Sequence, residues 1–398
     1  MKKILFLGAG NFQVSAIKKA KELGYYVITT DYLPNNPGHK YADKSFGIST
    51  IDMEEIYQLA KSEKVDGIIS YASDVSACAA AYASEKLGLP TNPFKSVEIL
   101  TKKHLFKKFM VENGFLVPRG MCFQDKNEAS KYFKELKTMA MVKPVDSSGS
   151  KGVHKVASIE EFDKAWEDAM TYSISKNVLV EEYIQRKGYQ IDGDGFMSEG
   201  EIVYFGVMDQ HQDKSCNLYA PVAESIPSVQ EKKIQRKAQS IIQDIMSKLN
   251  MQFGAFNMEY IVDENENVYV LEVGPRNGGN YIPDTVKVAL EIDMMEASIR
   301  YAVGDDYVFP EPKEEKCATS YMIHSLETGK FVRLEISEEI KDAIVKTDLF
   351  ILEGEKVHGF RNGGDTIGAM VLQFNTIEDM IDKIEHMNDY LKVIVEEI

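Results

Sequence analysis

Residues 253–274 read F-G-A-F-N-M-E-Y-I-V-D-E-N-E-N-V-Y-V-L-E-V-G, two apolar runs on either side of a polar stretch. Aromatic and branched side chains make 253–262 and 268–273 strands, and 263–267 has the composition of a hairpin turn. Pairing Asp263 with Val268 sets a register in which Glu259 stands opposite Glu272 on one face. Carboxylates so placed, with Cβ atoms about 5 Å apart, repel each other, and a cation belongs between them. Their oxygens suit Mg²⁺, which takes one or two carboxylates and completes its shell with water and nucleotide phosphates. An exposed hairpin carrying two hydrated acids is the plain alternative. If the pair repels, the neutral amide at either position should leave the metal-free protein no less stable. The following turn, Val273-Gly274-Pro275-Arg276-Asn277-Gly278-Gly279-Asn280, sets a planar cation beside the proposed metal, where it can stabilise a transferring phosphoryl group.

Working outward, Lys143-Pro144-Val145-Asp146-Ser147-Ser148-Gly149-Ser150-Lys151-Gly152 joins predicted strands at 139–143 and 153–157. Its small residues cannot pack a core, but their backbone N–H groups can lie on phosphate oxygens while Lys143 supplies a fixed charge. A flexible hairpin turn fits the same residues. No G-x-x-x-x-G-K-[ST] loop occurs. Glu181-Glu182-Tyr183-Ile184 leaves a strand with two acids; it reads as a hinge, or as backbone able to read an adenine edge. Residues 1–100 alternate strands at 4–8, 27–30 and 67–71 with helical periodicity at 14–23 and 53–61, the pattern of a parallel sheet. Gly8, Gly10 and Asp31 suggest a dinucleotide fingerprint, but Gln13 stands where the third glycine belongs, so a tight strand-to-helix turn is the better reading. A helix at 101–111 stops before Gly114 and Pro118, strands dominate from there to 273, and 308–316 reads as a linker. Beyond it, strands at 319–326 and 368–373 precede a helix at 377–391.

The chain of 398 residues, 44% hydrophobic and 27% charged, is long enough for two or three domains and too apolar for a disordered one. Its net charge of −16 disfavours nucleic acid and anionic membranes, and no run of about 18 apolar residues is present. The four cysteines lie far apart, which argues against zinc or disulfides and for a reducing cytoplasm; the seven histidines likewise show no metal spacing.

Taken in this order, the segments resemble the ATP-grasp superfamily, in its biotin carboxylase and carbamoyl phosphate synthetase branch, over nearly the whole chain. The resemblance implies a multidomain fold, α/β and α+β. A Rossmann-like domain at 1–100 would precede an ATP-grasp fold at 101–310, with a lid at about 120–183, and a small C-terminal α+β domain at 311–398. It implies an ATP-dependent ligase that joins a carboxylate to an amine, or to a thiol, through an acyl phosphate, giving ADP and phosphate. ATP and Mg²⁺, or Mn²⁺ in its place, are the implied cofactors, with small-molecule substrates and a homodimer as the expected assembly. Residue by residue, Lys103 and Lys143 match the phosphate-binding lysines, and Ser148, Gly149, Ser150 and Gly152 the phosphate loop. Glu181, Glu182, Tyr183 and Ile184 match the adenine hinge, and Glu259 and Glu272 the metal ligands. Arg276 matches the arginine at the acyl phosphate, and with Lys143 and Asn277 makes up the implied catalytic set.

Two departures stand out. The ribose-binding glutamate of the family is Gly188, leaving Gln190 and Asp192 as candidates, and the third metal ligand is Gly274, which Asn277, Asn280 or water would replace. Of Lys102, Lys103, Lys107 and Lys108, most read as a solvated helix face. Residues 10–13, Ser73-Asp74 and 210–219 are expected on the acceptor side. Two other functions compete: a nucleotide-binding module without turnover, motivated by Gly188 and Gly274, and an NAD-dependent oxidoreductase, which leaves Lys143, Glu259 and Glu272 without a task.

Overall fold

The computed structural model describes residues 1–147 and 151–397, and these form four sheets. Strands β1 (Lys3–Leu7), β2 (Tyr26–Thr30), β3 (Lys44–Phe46) and β4 (Gly67–Ile69) make a parallel sheet in the order β3-β2-β1-β4. Helices α1 (Val14–Glu22), α2 (Met53–Glu63) and α3 (Asp74–Leu87) accompany it, and Ile4, Leu5 and Phe6 of β1 are fully enclosed, as parallel strands covered on both faces require. The helix expected at 101–111 is α5 (Lys103–Glu112); a further helix, α4 (Phe94–Thr101), precedes it, and Lys102 between them takes an extended conformation.

A second sheet contains β5 (Gly120–Phe123), β6 (Ala140–Pro144), β7 (His154–Val156) and β8 (Val178–Glu182), in the order β5-β8-β6-β7. Its core lies against α6 (Lys126–Leu136) and α7 (Ile159–Tyr172), with Ala140, Val142, Val178 and Val180 buried among Phe133, Phe162 and Trp166. Strand alternation sends Lys143 to the other, open face. Ser148, Gly149 and Ser150 lie outside the described residues.

The largest sheet draws on β9 (Gln190–Ser198), β10 (Glu201–Phe205), β11 (Met208–Gln212), β12 (Pro221–Ile226), β13 (Gly254–Val262), β14 (Val268–Gly274) and β15 (Cys317–Ile323). After β16 (Gly329–Ile336) come β17 (Ile344–Leu349), β18 (Lys356–Val357), β19 (Gly368–Phe374) and β20 (Leu391–Glu396). The order is β14-β13-β9-β11-β12-β15-β19-β17 with β10 on β9, while β18, β16 and β20 form a small separate sheet. Because β12 pairs with β15, the sheet continues past the proline-bearing stretch at 308–316. Helices α8 (Lys232–Lys248), α9 (Ile282–Leu290), α10 (Met294–Ala302), α11 (Glu338–Lys341), α12 (Ile377–Glu385) and α13 (Met387–Tyr390) cover the sheets, the last two and β20 replacing the single helix expected at 377–391.

One packing choice positions the site. Helix α8 presents Ile234, Ala238, Ile242 and Ile245 at helical spacing, and they pack on Phe256, Met258, Tyr260 and Val262 of β13. Each such fully buried side chain contributes about 2 kcal/mol, so the strand cannot be turned over, and Asn257 and Glu259 must face the other way.

Candidate active site

The hairpin reaches the expected pairing by a different route. Val262, and not Asp263, pairs with Val268, a slip of one residue that a bulge at Leu271 cancels, so that Glu259 still stands opposite Glu272. Glu272 accepts from Lys103 Nζ at 2.8 Å, and Glu259 accepts from Gln190 Nε2 at 2.9 Å. The Lys103 charge holds the Glu272 carboxyl below the usual range. Burial, then the charges of Asp192 and Glu272, push Glu259 the other way, toward its neutral form.

Helix α5 serves the site twice. Four residues beyond Lys103, on the same helical face, Lys107 reaches Glu181 at 2.5 Å, and Lys143 from β6 reaches the other oxygen of Glu181 at 2.5 Å. Lys107, like Lys103, therefore stands apart from the solvated face; Lys102 and Lys108, paired with Glu98 and Glu112, belong to it. The i, i+4 spacing of Lys103 and Lys107 was the available signal. Glu181 is only 5% exposed, and its carboxyl is held low despite burial by the charges of Lys143 and Lys107. In the hinge, the N–H of Glu182 donates to the Arg119 carbonyl and that of Tyr183 to the Met139 carbonyl, both at 2.8 Å. The Glu182 side chain turns outward to Arg119.

Strand β9, between β13 and β11, was not read as a strand. Its Q-I-D-G-D-G-F-M-S sequence has the composition of a turn, yet both glycines are needed for close approach. A Cβ on Gly193 would lie 2.0 Å from the Gly206 carbonyl oxygen, and one on Gly195 would enter the Phe256 ring. The aspartates between them face the acid pair: Asp192 is registered with Glu259 and Asp194 with Asn257. Asp192, a candidate for ribose, is thus buried beside Glu259, accepting from the Gly193 N–H at 2.6 Å and from Asn257 Nδ2 at 2.8 Å. Glu224, fully buried on β12, accepts from Asn280 Nδ2 at 3.0 Å and Ser320 Oγ at 2.7 Å. Asn280 therefore joins this row of acids. Asn277 turns to α10, where its Oδ1 accepts from Ser298 Oγ at 2.7 Å, so the oxygen a metal would need is already engaged.

Arg276 makes a bidentate pair with Asp74 at the start of α3, its Nε donating to Oδ1 at 2.8 Å and its Nη2 to Oδ2, and its Nη1 donates to the Asn277 carbonyl at 3.0 Å. Against burial, the charge and hydrogen bonds of Asp74, joined by the charges of Glu272 and Asp194, hold the guanidinium firmly protonated. Ser73-Asp74, expected on the acceptor side, is thereby joined to the turn after β14. At the first glycines, Gln13 lies over Gly8 and Gly10 and donates to the Tyr71 carbonyl at 2.9 Å. Asp31 accepts from the N–H groups of Ala9 and Leu33 and from Asn36 Nδ2. The carboxylate a nicotinamide ribose would need is spent within its own loop, and Gln13 stands where a pyrophosphate would approach.

The row of acids makes stability depend on pH. Burial pushes Asp194 up to about 7, against opposing hydrogen bonds from the Gly278 N–H and Asn257; burial also raises Asp192 and Glu224, the former with help from the Glu224 charge. The folded state binds protons that the unfolded chain has released above about pH 4, so this stabilisation is present below that pH and is lost as pH rises through about 7. Thermal melts in chelator should fall by at least about 3 °C between pH 5 and pH 8. Equal melts at the two pH values would mean that the acids are compensated.

Fold and site together define a class: an α/β protein in which helix α5 and a small antiparallel sheet bring lysines to Glu272 and Glu181, beside acids buried in a large antiparallel sheet. Comparison points to a family for part of the chain, for residues 108–288 match the ATP-grasp domain. It is 27% identical over 292 residues to the C-terminal section of the carbamoyl phosphate synthase large chain of Aquifex aeolicus, a match covering 69% of this chain and 53% of that one. It is 23% identical over 390 residues to the formate-dependent phosphoribosylglycinamide formyltransferase of Sulfurisphaera tokodaii, covering 96% and 94%. An L-amino acid ligase from Bacillus licheniformis superposes with a TM-score of 0.81 at 18% identity, over 100% of this chain and 99% of the other, and so shares the fold. Among the described residues, no helix is long and apolar enough to cross a membrane.

Proposed function

We propose that the protein is an ATP-dependent ligase that phosphorylates a carboxylate and passes the acyl group to an amine. The observation that carries this reading is the opposed pair Glu259 and Glu272 with Lys103 upon it, inside a chain related to ATP-grasp proteins. The pair suits Mg²⁺: the donors are oxygens, and burial with the charges of Asp192 and Glu272 pushes Glu259 toward its neutral form, which a bound cation would oppose. When bound there, the ion offsets charge on the terminal phosphates. Lys103 would exchange Glu272 for a phosphate oxygen, while Glu181 keeps Lys107 and Lys143 parallel and aimed at the same phosphates. With the N–H groups of Glu182 and Tyr183 committed, the adenine edge would be read by Ile184.

The unit at about 120–183 would act as a lid, between an opening domain at 1–100 and a closing one at 311–398. In the reaction, a carboxylate oxygen bonds to the γ-phosphorus as the bond to ADP breaks, and the amine then attacks the acyl carbon and displaces phosphate. Arg276 would hold the developing oxyanion. Glu224 and Asp192, both raised by burial, are suited to receive the proton that the attacking amine gives up.

With MgATP, the correct carboxylate and hydroxylamine in place of the amine, the enzyme should release ADP and a hydroxamate in equal amounts. AMP in that mixture would move the chemistry to the α-phosphorus and overturn the acyl-phosphate route. MgATP binding without turnover over a broad panel of carboxylates and amines would leave a binding module.

A further inference from the structure

The loop between β11 and β12 carries Asp213 and Cys216, and His324 follows directly on β15. The ring of His324 is buried, held between Tyr321 and Phe360 with centroids 5.8 and 4.6 Å away. Its Nδ1 lies 2.8 Å from the Met322 carbonyl oxygen, which can only accept, so Nδ1 carries a hydrogen. The neutral ring then presents a lone pair at Nε2, and what it faces, at 3.1 Å, is Asp213 Oδ2, another acceptor. Something positive must lie between them, a proton or a metal ion. The third neighbour decides which: Cys216 Sγ lies with these two atoms in one group, all within 4.8 Å of one another. A soft sulfur beside an imidazole nitrogen and a carboxylate is the donor set of zinc, with room left for a fourth ligand.

The surroundings are those of a metal site as well. Backbone carbonyl on the far ring nitrogen fixes the histidine tautomer, and the carboxylate is oriented by Asn388 Nδ2 at 2.8 Å and by the Ser215 N–H at 2.7 Å. We propose that Asp213, Cys216 and His324 form a Zn²⁺ site that fastens the β11–β12 loop to the end of β15. The proposal runs against the expectation drawn from cysteine and histidine spacing, because the three ligands come from two segments far apart in the chain. The same loop is joined to the segment after β18 by Asn217 Nδ2, which donates to the Arg361 carbonyl at 2.6 Å, and the strands it connects carry Gln210 and Glu224. Zinc would thus be structural, steadying the wall behind the acids. The proposal rests on no part of the ligase reading.

Metal-free full-length protein titrated with Co²⁺ should take up one equivalent with a thiolate-to-cobalt charge-transfer band. The band should vanish in Cys216→Ser and persist in Glu272→Gln, which separates this site from the paired glutamates, and Zn²⁺ should abolish it by displacement. His324→Gln should weaken Zn²⁺ binding at least about tenfold. A measurement that needs no variant is alkylation of Cys216, followed by mass spectrometry: Zn²⁺ should slow it at least about tenfold and Mg²⁺ should not. Absence of the thiolate band, or alkylation at the same rate with and without Zn²⁺, would overturn the site and leave His324 and Asp213 as a proton-bridged pair.

Discussion

Glu272→Gln should fold and lose turnover by at least about two orders of magnitude, close to 2.7 kcal/mol of transition-state stabilisation. Two things leave with the charge. The proposed cation loses one of its two carboxylates, and Lys103, which donates to Glu272 at 2.8 Å, loses the group that aims it. Glu259→Gln should lose turnover to a similar degree, since it removes the opposite carboxylate. In stability, however, the two variants should part. Glu259 is already pushed toward its neutral form, so the amide changes little in metal-free protein. Glu272 is the counter-ion of a half-buried lysine, and because both side chains keep about a third of their exposure the loss should be modest, about 1 kcal/mol. The hairpin alone suggested that neither substitution would cost stability; Lys103 is the reason they differ. Phosphate release at saturating MgATP with parallel thermal melts tests both statements. Normal turnover in both variants would remove the acids from the cation site.

Arg276→Ala should lower kcat by about a hundredfold and change the KM for ATP by less than about threefold. The guanidinium is pinned on one side by Asp74 and on the other by the Asn277 carbonyl, a fixed planar charge of the kind that stabilises an oxyanion without reorganising. The alanine variant also leaves Asp74 partly buried without its cation, at a cost of about 2 kcal/mol after allowance for solvent contact. Arg276→Lys supplies the control: it restores charge to Asp74, and so the melting temperature, but not the bidentate geometry, and turnover should stay low. A rise in the KM for ATP with kcat unchanged would make Arg276 a nucleotide-binding residue and nothing more.

Several residues were legible because their chemistry is local. Strand alternation with a five-residue turn was enough to oppose Glu259 and Glu272, although the slip at Val268 and the bulge at Leu271 show that the right pairing came through two compensating differences. Lys143 stood out beside a glycine-rich loop, whereas Lys103, one of several lysines on its helix, stood out only through the resemblance to the ATP-grasp superfamily. Lys107 was missed: its i, i+4 spacing puts it on the face of Lys103, but only the fold brings Glu181 to that face. Strand β9 was hidden for a related reason. Its aspartates and glycines signal a turn to any local rule, and only the approach of the Gly206 carbonyl and the Phe256 ring explains why a central strand should contain them.

By itself the sequence determined several of the strands and helices, that the opening sheet is parallel, and that two acids meet across a hairpin, because these follow from side-chain period and turn composition within short stretches. The tertiary structure decided everything that depends on distant segments sharing a space. It placed Asp74 on Arg276, put Glu181 between lysines from two elements, set Asp192, Asp194 and Glu224 in one buried row, and gathered Asp213, Cys216 and His324. The reason is physical: a charge finds its partner through space, and burial, which raises or lowers each carboxyl, is a property of the packed protein that no local spacing encodes.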